Sequence, residues 1–166
     1  MIWLYISSLF VFITFIIIML IVFGKLPSIS ETYYRLEHWR KGSGWIFTVF
    51  IWVVAGSFVP FWLSYSKENV QFLAFFACWG LIFVGAAPQF KEGLSRKVHF
   101  VSALVSGIAA SMWLIFSGMW LIFLIVAAIP LLLVYIRRDE WLFWVEFAGI
   151  MPTYVALIIT YCNGNI

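Results

Sequence analysis

Charged residues are scarce in this sequence. Asp, Glu, Lys and Arg together make up 10% of the 166 residues, whereas hydrophobic residues make up 65%. Soluble globular domains carry roughly 25% charged and roughly 45–50% apolar residues, so this composition excludes a water-soluble fold. No linker, charge block, low-complexity tract or internal repeat divides the chain. We therefore expect one transmembrane domain over residues 1–166.

The residues of common catalytic and metal sites are also scarce. The chain has two histidines, His38 and His99, and one aspartate, Asp139, so a catalytic zinc site of three histidines cannot be assembled. The two cysteines, Cys78 and Cys162, lie in separate apolar runs without a CxxC spacing, which favours a packing role. The sequence contains no P-loop, Rossmann glycine motif, HExxH or GxSxG. We therefore expect no metal and no cofactor.

Long apolar runs take up most of the chain. A bilayer core about 30 Å thick requires roughly 20 helical residues, and six runs approach that length. Their bounds are about 2–23, 45–64, 71–88, 99–117, 119–136 and 141–162. The first run has neither a positively charged leader nor a small-residue cleavage site, so we expect it to be retained as a span. The predicted fold is all-α, a polytopic bundle of six transmembrane helices.

The basic residues indicate an orientation. Nine of the ten Lys and Arg residues lie on the first, third and fifth connections, and Lys67 alone lies on the opposite side. Positively charged connections favour the cytoplasmic side, so both termini are predicted to be non-cytoplasmic. Because topology accounts for the basic tracts, we expect no nucleic-acid partner.

The first connection, from Lys25 to Gly42, is the longest stretch outside the predicted spans. Ser28 and Glu31 have the spacing of a capping box, in which two side chains satisfy free backbone N–H groups at a helix start. Gly42 would end that helix. The pattern predicts a short interfacial helix, and it leaves open whether the capping residues also belong to a site.

A cluster of polar residues is predicted on the cytoplasmic side. His99 opens the fourth span and would lie near the same interface as the polar residues of the first connection. A neutral imidazole there could act as a general base, or it could simply bond a neighbouring loop or a lipid headgroup. The candidate catalytic residues are His99, Glu31, Ser30 and Tyr34, and the candidate ligand-binding or ion-binding residues are Glu146, Tyr33 and Ser28.

Glu146 lies inside the sixth span. A carboxylate at the centre of a span costs about 2.5–3.5 kcal/mol, and somewhat less near its end. Arg137, Arg138, His99 or a tyrosine could compensate, or the carboxyl group could be neutral. An ionisable residue in a span is a candidate for function, although a structural buried pair explains it equally well.

The fourth span carries two adjacent rows of small residues spaced four apart, which permit close helix approach. A run of small residues from Gly85 to Ala87 in the third span would suit the partner surface. The two rows are Ser102, Ser106 and Ala110, and Ala103, Gly107 and Ser111.

Three short stretches carry a resemblance to known proteins. They are Ser-Ile-Ser-Glu-Thr-Tyr-Tyr at 28–34, Phe-Val-Gly-Ala-Ala-Pro at 83–88 and Val-His-Phe-Val-Ser-Ala at 98–103. The chain resembles uncharacterised bacterial six-span membrane proteins with a Ser-Ile-Ser-x-x-Tyr-Tyr motif and, more distantly, the damage-regulated autophagy modulator family. The resemblance spans residues 25–105 and implies a bacterial inner-membrane protein without supplying a reaction. It marks as signature positions Ser28, Ser30, Tyr33, Tyr34, Pro88 and His99.

Three functions are compatible with these residues. The favoured one is a lipid-facing sensor, scaffold or subunit of a membrane assembly, whose partners are membrane lipid and a membrane protein or a second copy of the chain. One alternative is a membrane-embedded lipid-modifying enzyme, which predicts that His99, Ser30 and Tyr34 converge on a cavity open to lipid. The other is a small proton or cation transporter, which predicts that Glu146 lines a water-accessible cavity with several polar neighbours.

Overall fold

The structure is a computed structural model that describes residues 1–164, and the secondary structure of these residues is helical, with no strand. The seven α-helices are α1 (Ile2–Phe23), α2 (Thr32–Trp39), α3 (Trp45–Ser64), α4 (Gln71–Ala86), α5 (Gly93–Phe116), α6 (Trp120–Ile136) and α7 (Trp141–Asn163). Short 3₁₀ turns precede α4 and α7. When α4 and α7 are counted with these turns, as Glu68–Ala86 and Arg138–Asn163, five helices are long and apolar enough to cross a membrane. The sixth, α6, is a shorter apolar helix of 17 residues. The predicted all-α class is confirmed.

Two predicted boundaries differ from the structure in ways that affect the site. α4 ends at Ala86 instead of residue 88, because a residue before proline disfavours the helical conformation and Pro88 follows closely. α5 begins at Gly93, six residues before the predicted start at residue 99. The prediction missed this extra turn and a half because it followed apolar runs, whereas a helix can also contain polar residues. His99 therefore lies in the second turn of α5 and not at its start.

The predicted helix of the first connection is present as α2. The Ser28 hydroxyl accepts a hydrogen bond from the Glu31 N–H at 2.9 Å, which is one half of the predicted capping box. The Glu31 carboxylate does not complete the box. It forms an ion pair with the Lys91 ammonium at 2.7 Å instead, which ties α2 to the connection before α5.

The turn after α2 is closed by Glu37. Its carboxylate accepts the N–H groups of Gly42 at 2.7 Å and Gly44 at 3.0 Å. These two donors hold the pKa of Glu37 below its ordinary value, because they stabilise the ionised form. Gly42 has a φ of 85°, the left-handed conformation that glycine adopts without strain, as expected for the residue that redirects the chain into α3.

Residues 24–31, which we call the buried loop, connect α1 to α2 through irregular backbone. Leu26, Ser28, Ile29 and Ser30 in this loop are all less than 8% exposed. The Pro27 carbonyl accepts the Phe143 N–H at 3.0 Å, so the loop is attached to the first turn of α7. Backbone that lies inside a bundle without helical bonds must find its partners among other protein groups.

One row of small residues on α5 packs directly against α4. A Cβ added to Gly80 would lie 2.7 Å from the Ser102 carbonyl oxygen and 2.8 Å from the Ser106 Cβ. The Ser106 hydroxyl donates to the Ala77 carbonyl at 2.8 Å. The predicted close approach of α5 is confirmed, but its tightest contact is at Gly80, whereas Gly85 faces Trp52 of α3.

We expect Gly80→Ala to destabilise the protein by about 1–3 kcal/mol, because backbone atoms of α5 would have to shift. Gly56→Ala is the matched control, since nothing lies within 4 Å of an added Cβ there. It should leave stability unchanged or raise it by up to about 1 kcal/mol. Thermal unfolding of the two variants in detergent measures the difference, and equal midpoints would contradict the packing described here.

Candidate functional site

A cavity of about 680 Å³ lies between α5, α6 and α7, and residues of α1, α3 and α4 also line it. α6 packs mainly against α7 and makes few contacts with α5, although only the turn at Gly118 separates α5 from α6. The second row of small residues on α5, which consists of Ala103, Gly107 and Ser111, lines the cavity wall. The volume falls within the range of roughly 300–1,000 Å³ that is usual for small-molecule sites.

The cavity opens at the side of the bundle. Leu104 and Ile108 on α5 and Leu131 on α6 line it and are 63%, 51% and 50% exposed. Along α5 the lining extends from His99 to Ile115, which is about 24 Å at the rise of an α-helix. The walls are mainly apolar, and no Lys, Arg or Asp of the described chain lines them. The cavity is therefore long, mainly apolar and open at its side.

One end of the cavity carries a polar cluster, which consists of Ser30, His99 and Glu146. Ser30 comes from the buried loop, His99 from α5 and Glu146 from the second turn of α7. The Ser30 hydroxyl lies 3.1 Å from His99 Nε2 and 3.3 Å from Glu146 Oε1. His99 Nδ1 lies 3.0 Å from the Ala87 carbonyl oxygen, and the Ile29 N–H donates to Glu146 Oε2 at 2.5 Å.

The hydrogen-bond partners limit how the cluster can share its protons. A carbonyl oxygen only accepts, so His99 Nδ1 carries the hydrogen in its bond to Ala87. The Ser30 hydroxyl has one hydrogen, so it cannot donate to both His99 Nε2 and Glu146 Oε1. With His99 neutral and Glu146 ionised, only one of the two contacts can be a hydrogen bond. Both become hydrogen bonds when the cluster holds one more proton. That proton lies either on the Glu146 carboxyl group, which then donates to Ser30, or on His99 Nε2.

The predicted candidates therefore divide into two groups. The structure brings Ser30, His99 and Glu146 together, whereas Glu31 and Tyr34 lie outside the cavity. Tyr34 accepts the Lys91 N–H at 2.8 Å, and the Lys91 ammonium lies 4.2 Å from the centre of its ring. Glu31, Tyr34 and Lys91 form a surface latch between α2 and the connection before α5.

Two further candidates have structural contacts. Ser28 caps the Glu31 N–H, as described above, and the Tyr33 ring lies edge-on to the Tyr34 ring at 5.1 Å. Neither residue lines the cavity. Both contact residues of the latch and thereby help to position α2.

Phe90 is a site residue that the sequence analysis missed. Its ring lies 5.0 Å from the His99 ring and 5.0 Å from the Tyr34 ring, measured between ring centres. The latch therefore holds Phe90 over His99 at the edge of the cavity. The signal in the sequence was a bulky apolar side chain inside an otherwise polar connection.

Glu146 is held by groups other than the expected arginines. Arg137 lies 3.5 Å from Glu140, and Glu146 is bonded to the buried loop. The decisive donor is the Ile29 N–H, a backbone group that any non-proline residue would supply. For this reason the sequence pattern could indicate that Glu146 needs a partner but could not indicate which one.

Comparisons with known proteins give no relative: no family model, no curated protein and no solved structure matches this chain. The resemblance to six-span bacterial proteins stays a prediction. The chemistry of the site is therefore argued from the residues that form it.

The backbone N–H groups on either side of Ser30 are not free to form an oxyanion hole. A serine hydroxyl beside an imidazole nitrogen resembles the start of a nucleophilic site. Acyl transfer also needs N–H groups that stabilise the oxyanion of the intermediate. The N–H groups of Ile29 and Glu31, on either side of Ser30, are already bonded to Glu146 and Ser28. What remains available is a proton-binding carboxylate that faces a cavity.

Ser30→Ala should destabilise the folded protein by about 1–3 kcal/mol, because it leaves His99 Nε2 and Glu146 Oε1 without their shared partner. Ser111→Ala is the matched control, since Ser111 lines the same cavity without a side-chain bond to another described residue. Thermal unfolding in detergent provides the comparison. Equal stability of the two variants would mean that Ser30 does not link His99 to Glu146.

Proposed function

We propose that this chain is an integral membrane protein that binds a single-chain amphiphile. The apolar chain of the ligand would lie in the cavity between α5, α6 and α7, and its polar group would contact the polar cluster. The observation that carries this proposal is a mainly apolar cavity that opens sideways and has one polar end. Such a protein would act as a lipid-facing sensor or as a lipid-binding subunit of a membrane assembly.

The outer surface of the helices supports a membrane location. Large hydrophobic side chains are exposed along every long helix, among them Trp3, Ile21, Phe72, Ile129 and Leu132. Exposed apolar area on this scale is stable in lipid and would aggregate in water. In a bilayer the side opening would face the acyl chains, so a ligand would enter from the lipid without crossing water.

Transfer energies make the polar end of the cavity the source of ligand selectivity. Each methylene group that enters a dry apolar cavity from water contributes about 0.8 kcal/mol, and from lipid it contributes much less. Selectivity among membrane components must then come from the polar end, where Ser30, His99 and Glu146 meet the ligand. The same end carries the connections with nine of the ten basic residues, which supports our proposal that the cluster faces the cytoplasmic leaflet.

Filling the cavity should displace the ligand. Nothing lies within 4 Å of a Cβ added to Gly107, which lines the cavity, so Gly107→Leu places a side chain in it. We expect the fraction of protein that retains an amphiphile after gentle detergent release to fall at least about tenfold, since forcing both the leucine side chain and the ligand into the cavity costs about 1–3 kcal/mol. Native mass spectrometry measures this fraction.

Gly56→Leu serves as the control for that experiment. Gly56 is an exposed helical glycine with open space around it, and it does not line the cavity. It should retain the wild-type amount of ligand. Equal ligand retention in both variants, or none in the wild type, would contradict the proposed cavity function.

The proposed orientation is tested by two exposed lysines at opposite ends of the bundle. In a Cys162→Ser background, Lys67→Cys should react with a membrane-impermeant maleimide from outside intact cells. Lys41→Cys should react only after the membrane is opened, because its connection is predicted to be cytoplasmic. Cys78 is buried and should remain unlabelled in both variants. The reverse labelling pattern would invert the topology.

A further inference from the structure

We propose that the head group of the ligand is a cationic amine, and that the amine binds by replacing the dissociable proton of the polar cluster. This inference rests on the amphiphile site proposed above and names the chemical class of its ligand. Binding would be an exchange in which one ammonium group enters and one proton leaves.

The charges that line the cavity favour a cation. Among the residues of the described chain that line it, only His99, Glu146 and Tyr154 can ionise, and Glu146 is the one that becomes an anion when the cluster gives up its proton. A phosphate head group would meet this carboxylate without a lysine or arginine to neutralise it. An ammonium group would be attracted to the same carboxylate, and the attraction is strong where apolar walls exclude water.

The two oxygens of Glu146 have different surroundings. Oε2 accepts the Ile29 N–H and holds the buried loop, so it is not free to change partners. Oε1 has Ser30 as its partner at 3.3 Å, which is longer than the usual 2.5–3.0 Å of an O–H···O bond. This is the weakest contact in the cluster and therefore the one that an incoming N–H donor displaces most easily.

With an ammonium bound, every polar group of the cluster has a partner. The ammonium donates to Glu146 Oε1, and the Ser30 hydroxyl is then free to donate to His99 Nε2. His99 stays neutral, with its Nδ1 hydrogen bonded to Ala87. Because Glu146 is now ionised, the proton that completed the cluster in the free protein has left. The rings of Phe90 and Phe100, both near His99, offer faces that tolerate a cation.

Other charged groups near this end do not compete for the exchange. The buried loop presents Ser30 to Glu146, α5 presents His99, and α6 presents the apolar side chains Ala127 and Leu131 to the cavity. Outside the cavity, Lys91 is paired with Glu31, and Arg137 with Glu140. The titration that governs binding therefore belongs to Glu146 and His99.

The test compares two ligands of equal chain length, dodecylamine and dodecanol, on the purified full chain in neutral detergent micelles. Equilibrium binding is measured at about pH 6 and about pH 8, where dodecylamine is a cation throughout. Because the amine replaces a proton, its affinity should rise with pH, by up to about tenfold per pH unit wherever the free cluster still holds that proton. The affinity for the alcohol should stay constant. Calorimetry of the wild type at the lower pH, in two buffers of different ionisation enthalpy, should show up to one proton released per amine bound, and the number should fall at the higher pH.

Glu146→Gln gives the matching variant, because its amide oxygen can still accept the Ile29 N–H while the charge is lost. Circular dichroism and size-exclusion chromatography that match the wild type show that it is folded, and it should lose both the amine preference and the pH dependence. Equal, pH-independent binding of amine and alcohol by the wild type would overturn the inference and leave the amphiphile site intact. Binding of neither ligand would overturn both. Amine binding without proton release would also overturn the exchange.

Discussion

The bond between Glu146 and the buried loop is the constraint on which the rest of the site depends. The chain leaves α1 through residues 24–31, of which 26 and 28–30 are buried in the bundle, where the backbone has no helix to satisfy it. The Glu146 carboxylate takes the Ile29 N–H, and the Phe143 N–H of the same helix donates to Pro27. These contacts position Ser30, which then reaches both His99 and Glu146. The Glu146 carboxylate thus both holds the buried loop and forms part of the proposed binding site.

Close packing on one side of α5 and open space on the other have a common origin. The row with Ser102 and Ser106 lies against Gly80 of α4 so tightly that no Cβ fits there. The neighbouring row, which includes Gly107, lines the cavity, because α6 packs mainly on α7. Small side chains therefore serve two purposes on one helix. They allow backbones to touch where a partner helix is present, and they leave volume where it is absent.

Much of the fold could be predicted from the sequence, because a bilayer demands long apolar helices and the apolar runs are plain. The bounds of α1 and α3 agree with the prediction, and the start of α5 does not, since a helix can extend through polar residues such as Arg96 and Lys97. Within the site, the prediction that a buried Glu146 needs a partner and the grouping of Ser30 with His99 agree with the geometry. The Ile29 donor and the covering Phe90 could not be predicted, because they depend on how the loops fold over the helix ends.

A structure of the full chain determined in lipid nanodiscs would test the central claim most directly. The account predicts an elongated, ordered ligand between α5, α6 and α7, with one polar atom at hydrogen-bonding distance from Glu146 or Ser30. It also predicts that α5 and α6 stay apart along their length. Direct packing of α6 against the row with Gly107, with no space between the two helices, would contradict it.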